Sequence, residues 1–252
     1  MIIDLNSFIG SWPSHPVKGD PKEVWASLRT MGVTRIFASH LASVWCRNPH
    51  VYNRVLIEAS DAVDDVYPVL VLDPTVADWQ RELECACEHK KLQLVRLLPN
   101  YGGYHLADVG DFLKAIQDAD LPVMVQTCLE DARRHHPLAV VPSLAASVVV
   151  DMAETLPALR VVIGGAKAAE LRNLAERILA LPNVYADTAQ VDGLDAIKIL
   201  VDKGLGDRLV FGSHAPLFIP HAALGRVVTD VSDDVAEAIL GGNALRLLKD
   251  PS

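Results

Sequence analysis

Two histidines, His40 and His214, each stand at the end of a short apolar run, and imidazole titrates near neutral pH. Both are therefore candidates for moving a proton. Asp187 ends another such run and can orient or charge-pair either ring. Asp73 ends a further one but precedes Pro74, a sequence that suits turn and helix-cap chemistry. Arg96 sits in a run apolar enough to be buried, and a buried guanidinium needs a partner. That partner can be a carboxylate of the protein or a substrate carboxylate held by a bidentate bond. Asn6 and Gln126 end two more runs with neutral amides that can hydrogen-bond a ligand. Around them, Tyr101 and Tyr104 flank Gly102-Gly103, and Trp12 and Trp45 can form pocket walls. Arg47, Glu130, Arg133, His135 and His136 lie in polar loop stretches. Arg47, Arg96 and Arg133 together would make a cationic pocket, and hence an anionic substrate. Lys167 could form a Schiff base with a carbonyl compound, although its place at a helix start fits a solvated lysine. Gly164-Gly165 leads into the same helix, where free N–H groups can hold an anion.

These residues need elements to bring them together. Short, β-branched, mostly apolar runs recur at residues 2–6, 35–39, 67–72, 92–98, 122–126, 160–164, 183–187 and 208–212, as expected for parallel strands buried on both faces. Helical patterns separate them. Leu171, Leu174, Ala175, Ile178 and Leu179 form one apolar stripe, and Phe112, Leu113 and Ile116 repeat it. Pro21 and Pro142 suit first turns of helices. Eight strands alternating with helices predict an α/β fold, a (β/α)8 TIM barrel in a single domain over residues 1–252. An open doubly wound sheet would place a glycine-rich turn after its first strand, and residues 7–13 are no such fingerprint. In a barrel the residues above meet at one mouth, formed by the C-terminal strand ends.

The chain has 252 residues and a formal net charge of −9, which argues against nucleic acid as a partner. No apolar stretch approaches a membrane span. Without an export signal, the expected location is the cytoplasm, with Cys46, Cys85, Cys87 and Cys128 as reduced thiols. Cys85 and Cys87 lie two apart in a helical stretch and point in different directions, so buried packing is expected of them rather than a metal pair.

Several segments resemble the amidohydrolase-2 family of metal-dependent barrels. They are Ile2-Ile3-Asp4-Leu5-Asn6, Leu121-Pro122-Val123-Met124-Val125, Arg160-Val161-Val162-Ile163-Gly164 and Arg208-Leu209-Val210-Phe211-Gly212-Ser213, with the tail Ile239 to Leu248, where Asn243 would be an N-cap. A branch of that family is similar also in Trp12-Pro13, Arg47-Asn48-Pro49, Arg96 to Tyr101 and Glu130-Asp131-Ala132-Arg133. The resemblance implies metal ligands at five positions that here carry Asn6, Phe8, Gln126, Gly165 and His214. None of these keeps the family's ligand, so the expected cofactor is none.

The expected function is hydrolysis of a lactone or amide-like bond, or decarboxylation, of a small anionic substrate without a metal. His214 or His40 would act as base and Asp187 would orient it. Arg96 would bind the carboxylate, with Asn6, Arg47, Tyr101, Gln126, Arg133 and Trp12 as further contacts. Two alternatives stay open. One is a zinc or manganese site rebuilt from His40, His214 and Asp187; the other is a non-catalytic binding or partner subunit on the same barrel. Family members often form dimers, so the resemblance also admits a homo-oligomer.

Overall fold

A computed structural model describes residues 1–249. Eight parallel strands form the barrel: β1 (Ile2–Ile9), β2 (Val33–His40), β3 (Val66–Pro68, resuming at Leu70–Val71), β4 (Val95–Leu97), β5 (Val123–Gln126), β6 (Val161–Gly164), β7 (Val184–Asp187) and β8 (Leu209–Val210). Neighbours in the chain are neighbours in the sheet. The two halves of β3 pair with β2 and β4 respectively. The Leu5 amide donates to the Phe211 carbonyl at 3.0 Å and the His214 amide to the Asn6 carbonyl at 2.8 Å, closing the circle. The predicted barrel is thus the observed one.

A helix follows each strand: α1 (Pro21–Thr30), α2 (His50–Asp61), α3 (Trp79–Glu88), α4 (Gly110–Asp118), α5 (Ala146–Thr155), α6 (Ala168–Asn173, resuming at Ala175–Ala180), α7 (Ala196–Asp202) and α8 (Pro220–Asp230). A last helix, α9 (Asn243–Leu248), closes the bottom of the barrel. In α1, Pro21 occupies the first turn and the Asp20 carboxylate accepts from the amides of Lys22 (3.0 Å) and Glu23 (3.2 Å). Asp20→Ala is expected to cost about 1 kcal/mol, read from the urea midpoint. Among the described residues no helix is long and apolar enough to cross a membrane.

Four local expectations are corrected. The stripe from Leu171 to Leu179 is broken at Leu174, and Leu179 faces outward. Pro142 precedes α5 by a loop, where its carbonyl accepts from the Asn100 side chain at 2.5 Å. Asn243 is no N-cap: it follows a π turn (Ala238–Gly242) and its amide donates to the carbonyls of Gly206 and Leu209. Cys85 and Cys87 are exposed, because Leu83 and Ala86 take the buried face of α3 and leave the residues beside them outside.

Inside the barrel, side chains stack in layers because alternate strand residues share a face. Leu94, Met124, Val162 and Tyr185 build an apolar lower layer with Ile3, Leu5 and Phe37. Two residues further along the same strands come Arg96, Gln126, Gly164 and Asp187, a polar middle layer. In β1 the register slips between Asp4 and Ser7, and this bulge brings Asn6 into the middle layer although Leu5 already faces inward. The top layer is apolar again: Phe8, Trp12, Leu41, Val71, Leu98, Leu129 and Leu217 pack across the mouth, with Trp45 and Tyr101 at the edge.

Candidate active site

The middle layer is a buried network centred on Arg96. Its Nη1 donates to Asn6 Oδ1 at 2.7 Å and to Gln126 Oε1 at 2.8 Å. Asn6 Nδ2 donates to Asp187 Oδ2, and at 3.3 Å to Gln126 Oε1. Gln126 Nε2 donates to the Cys128 carbonyl at 2.8 Å. Asp187 Oδ1 accepts from the amides of Gly165 (2.9 Å) and Ala189 (3.2 Å). Glycine is required beside these amides. A Cβ on Gly164 would lie 3.0 Å from Gln126 Oε1, and one on Gly165, whose φ is +70°, would lie 2.3 Å from the Cys128 carbonyl oxygen.

The guanidinium lies over the Phe8 ring, 4.2 Å from its centroid. Burial lowers the Arg96 pKa to about 9, with Asp187 and Asp4 acting against the fall, so the group is a cation at neutral pH. Among the described residues its Nε and Nη2 find no acceptor. His214 packs next to it, between Phe8 (5.3 Å) and Phe218 (5.2 Å). Burial, then the charges of Arg96 and Lys167, lower the His214 pKa to about 3, so the ring is neutral. Neither ring nitrogen finds a hydrogen-bond partner of good geometry among the described residues. The His214 backbone is left-handed, φ +57°.

The structure therefore brings together Asn6, Arg96, Gln126, Asp187 and His214, and not the other expected members. His40 stands apart at the rim, where Nδ1 accepts from the Ala42 amide at 3.2 Å and the ring stacks on Tyr52 at 4.8 Å. Asp187 orients neither histidine, because its oxygens are taken by Asn6, Gly165 and Ala189. The Gly165 amide is consequently not free for an anion. Arg133 is exposed and paired with Asp131 at 2.6 Å, and Arg47 is exposed; neither contributes to a cationic core. Trp12 is buried and donates to Glu130 Oε1 at 2.8 Å. Tyr101 meets Trp45 edge-on at 5.3 Å, its phenol pKa raised by burial and by the nearby Cys128 and Glu130. Lys167 Nζ donates to Gln190 Oε1 at 2.7 Å.

Sequence reasoning missed Asp4. Its carboxyl is fully buried, accepts from the amides of Asn6 (3.1 Å) and Ser213 (3.0 Å), and meets the Ser213 hydroxyl at 2.5 Å. Burial outweighs these bonds and raises its pKa to about 6.

An eight-stranded parallel barrel with a charged layer at its strand ends defines the class of (β/α)8 enzymes. The family model described as amidohydrolase matches residues 17–249, and the chain belongs to that family of enzymes. No curated protein sequence matches the chain. Among solved structures it is similar to 5-carboxyvanillate decarboxylase from Sphingomonas paucimobilis (TM-score 0.72, 15% identity, 90% of this chain and 82% of that one). It is also similar to 2,6-dihydroxybenzoate decarboxylase from Rhizobium (TM-score 0.69, 17% identity, 99% of both chains). A third, from Novosphingobium aromaticivorans, is a 5-carboxyvanillate decarboxylase mutant with bound manganese (TM-score 0.69, 13% identity, 89% and 80%). At these identities the likeness shows the fold.

The inner residues of this chain do not fit a divalent metal. Among the described residues no three His, Cys, Asp or Glu side chains are placed to hold one, so His40, His214 and Asp187 form no rebuilt site. Asp187 spends its oxygens on three N–H donors, and the Arg96 cation already lies among the neutral amides of Asn6 and Gln126.

Proposed function

We propose that the protein is a metal-independent enzyme that decarboxylates a small aromatic or unsaturated carboxylate. The reading is carried by one observation: a buried guanidinium with two unpartnered nitrogens, Nε and Nη2, beside a neutral imidazole whose one hydrogen-bonding neighbour among the described residues is the Leu129 backbone, under an apolar ceiling. Arg96 Nε and Nη2 can hold an oxyanion of the substrate. Surroundings that exclude water favour loss of CO2, because a carboxylate is stabilised by water and its charge is dispersed as the C–C bond breaks, and Arg96 and His214 are both fully buried beneath apolar side chains. Hydrolysis would need an attacking water held beside a base, and the side chains over this layer are apolar. Burial first, and then the charges of Arg96 and Lys167, keep His214 neutral; an anion on Arg96 offsets the second of these, and the proposed step has the ring take up a proton as the substrate binds. That proton passes to the carbon that carried the carboxylate, and CO2 departs. Entry requires Leu129 and Leu217 to swing from the mouth. The decarboxylase neighbours support this class of reaction, and 2,6-dihydroxybenzoate, the compound in the name of one, is a reasonable first substrate.

The test is CO2 release from a panel of ortho-hydroxybenzoates, with and without a chelator. Turnover that survives the chelator and falls at least about 100-fold in His214→Asn is expected. Turnover that is lost with the chelator and restored by manganese would overturn the metal-independent reading. The sealed mouth favours a second reading, a binding protein without turnover; carboxylate binding with no CO2 from any member of the panel would establish it.

A further inference from the structure

Beside the sealed mouth runs an open groove. Its inner lobe, about 290 Å³, lies between the ends of β6 and β7 and the start of α8. An outer lobe of about 410 Å³ continues toward the loop after β1, and the two share Arg134 and the Leu217–Phe218–Ile219 segment. Three cations from three separate elements line the inner lobe: Arg134 after β5, Lys167 after β6 and Arg226 on α8. Among the described residues lining it the one carboxylate is that of Asp192. In a chain of net charge −9 this is a local reversal of sign.

The cations are not used up by the fold. Lys167 gives one hydrogen bond to Gln190 and keeps its other ammonium protons. Arg226 Nε finds no acceptor among the described residues, and its charge is opposed by burial and favoured by Asp192 and Asp230. Arg134 Nη2 reaches His15 Nε2 at 2.7 Å, a ring nitrogen and not a carboxylate. The floor beneath is apolar. Ile219, 71% exposed, presents its apolar side chain in both lobes together with Leu217 and Phe218. Pro16, Val17 and Val24 extend the apolar wall through the outer lobe.

The geometry points to a binding site for an amphipathic monoanion, with a carboxylate head among Lys167, Arg226 and Arg134 and an aryl or short alkyl body on Leu217–Ile219. Inorganic phosphate satisfies the cations but leaves the floor uncovered, and a neutral aromatic does the reverse. The site is distinct from the Arg96 layer, since the groove is lined by neither Arg96 nor His214 and Phe218, which lines it, packs on the His214 ring, and it does not depend on turnover there.

The probe is 3-phenylpropionate, measured by isothermal titration against the full-length protein, with 3-phenylpropanol and inorganic phosphate as comparators. The expected result is saturable binding of the acid alone, weakened by salt and weakened about tenfold or more in Lys167→Met and in Arg226→Met. The unfolding midpoints of those variants should match the parent; if either methionine variant fails to fold, the glutamine versions are read instead. Three outcomes overturn the site: no binding up to about 10 mM, equal affinity for phosphate, or undiminished affinity in the Lys167/Arg226 double variant. Binding that is lost in Arg96→Lys but kept in the double variant places the anion at Arg96. That outcome overturns the groove site and supports the decarboxylase reading.

Discussion

Replacing Arg96 by methionine is expected to destabilise the protein by about 3–5 kcal/mol, since two hydrogen bonds from a charged donor are lost at about 1.5–3 kcal/mol each. Methionine fills similar volume and can lie against Phe8, so the loss is chiefly electrostatic. Without the guanidinium, Asp187 keeps its bonds from Asn6, Gly165 and Ala189 but loses the facing cation. Asn6 Oδ1 and Gln126 Oε1 each lose a charged donor inside the barrel. A second substitution separates this account from a packing defect. In Arg96→Met/Asp187→Asn the nearer of the two buried carboxyls is gone, leaving Asp4 held by Ser213, and the Asn6 amide can turn so that its oxygen accepts from the new amide at 187. The double variant should therefore regain about 1–3 kcal/mol relative to the sum of the single changes, measured by urea unfolding. A strictly additive pair, or an Arg96→Met protein within about 1 kcal/mol of the parent, would sink the idea that the cation holds this layer together.

The same network shows what could be read in advance and what could not. Arg96, Gln126 and Asp187 were legible because each follows an inward apolar residue by two positions, Leu94, Met124 and Tyr185, and so must face the barrel axis. Asp4 was hidden inside an apolar run, and its role is set by Ser213, a partner 209 residues away. The β1 bulge that turns Asn6 inward leaves no mark in the pattern of residue types. His40 and His214 looked alike as strand-end histidines. What separates them is tertiary: one caps a turn at the rim beside Tyr52, while the other is enclosed by Phe8 and Phe218. The apolar ceiling was illegible for a related reason. Its residues come from at least five strand ends and loops, and apart from Trp12, Trp45 and Tyr101 each contributes an aliphatic or phenyl side chain that carries no signal alone. The strands themselves are continuous local signals, and so the barrel could be read while its closed mouth could not.

The second large effect is on the acid side of the stability curve. His214 has a pKa of about 3 in the folded barrel against 6.5 in an exposed chain. Between those values the unfolded chain binds a proton that the folded protein refuses, so stability falls as pH falls, by about 1.4 kcal/mol per unit. Asp4 acts in the opposite sense. Its folded pKa of about 6 exceeds the ordinary 3.8, so the folded protein holds the extra proton and gains stability as pH falls from 6 to 3.8. The joint contribution of these two groups should therefore fall below pH 6.5, flatten between 6 and 4 where they oppose, and fall again below 4, superposed on the contributions of Asp187, His40 and the paired surface carboxylates. His214→Asn isolates the histidine, since asparagine tolerates the left-handed backbone and carries no proton equilibrium. Asp4 is common to both proteins and cancels in their difference. Whatever the variant loses at neutral pH through packing, the gap should move in its favour by about 2.5 kcal/mol between pH 6 and pH 4. Unfolding free energies measured at the two pH values decide it, and parallel curves would mean that His214 is not held neutral. Adding a carboxylate that binds at Arg96 should shrink the parent's slope, because the anion offsets one of the charges that exclude the proton. The pH dependence of stability thus reports on the same proton that the proposed reaction uses.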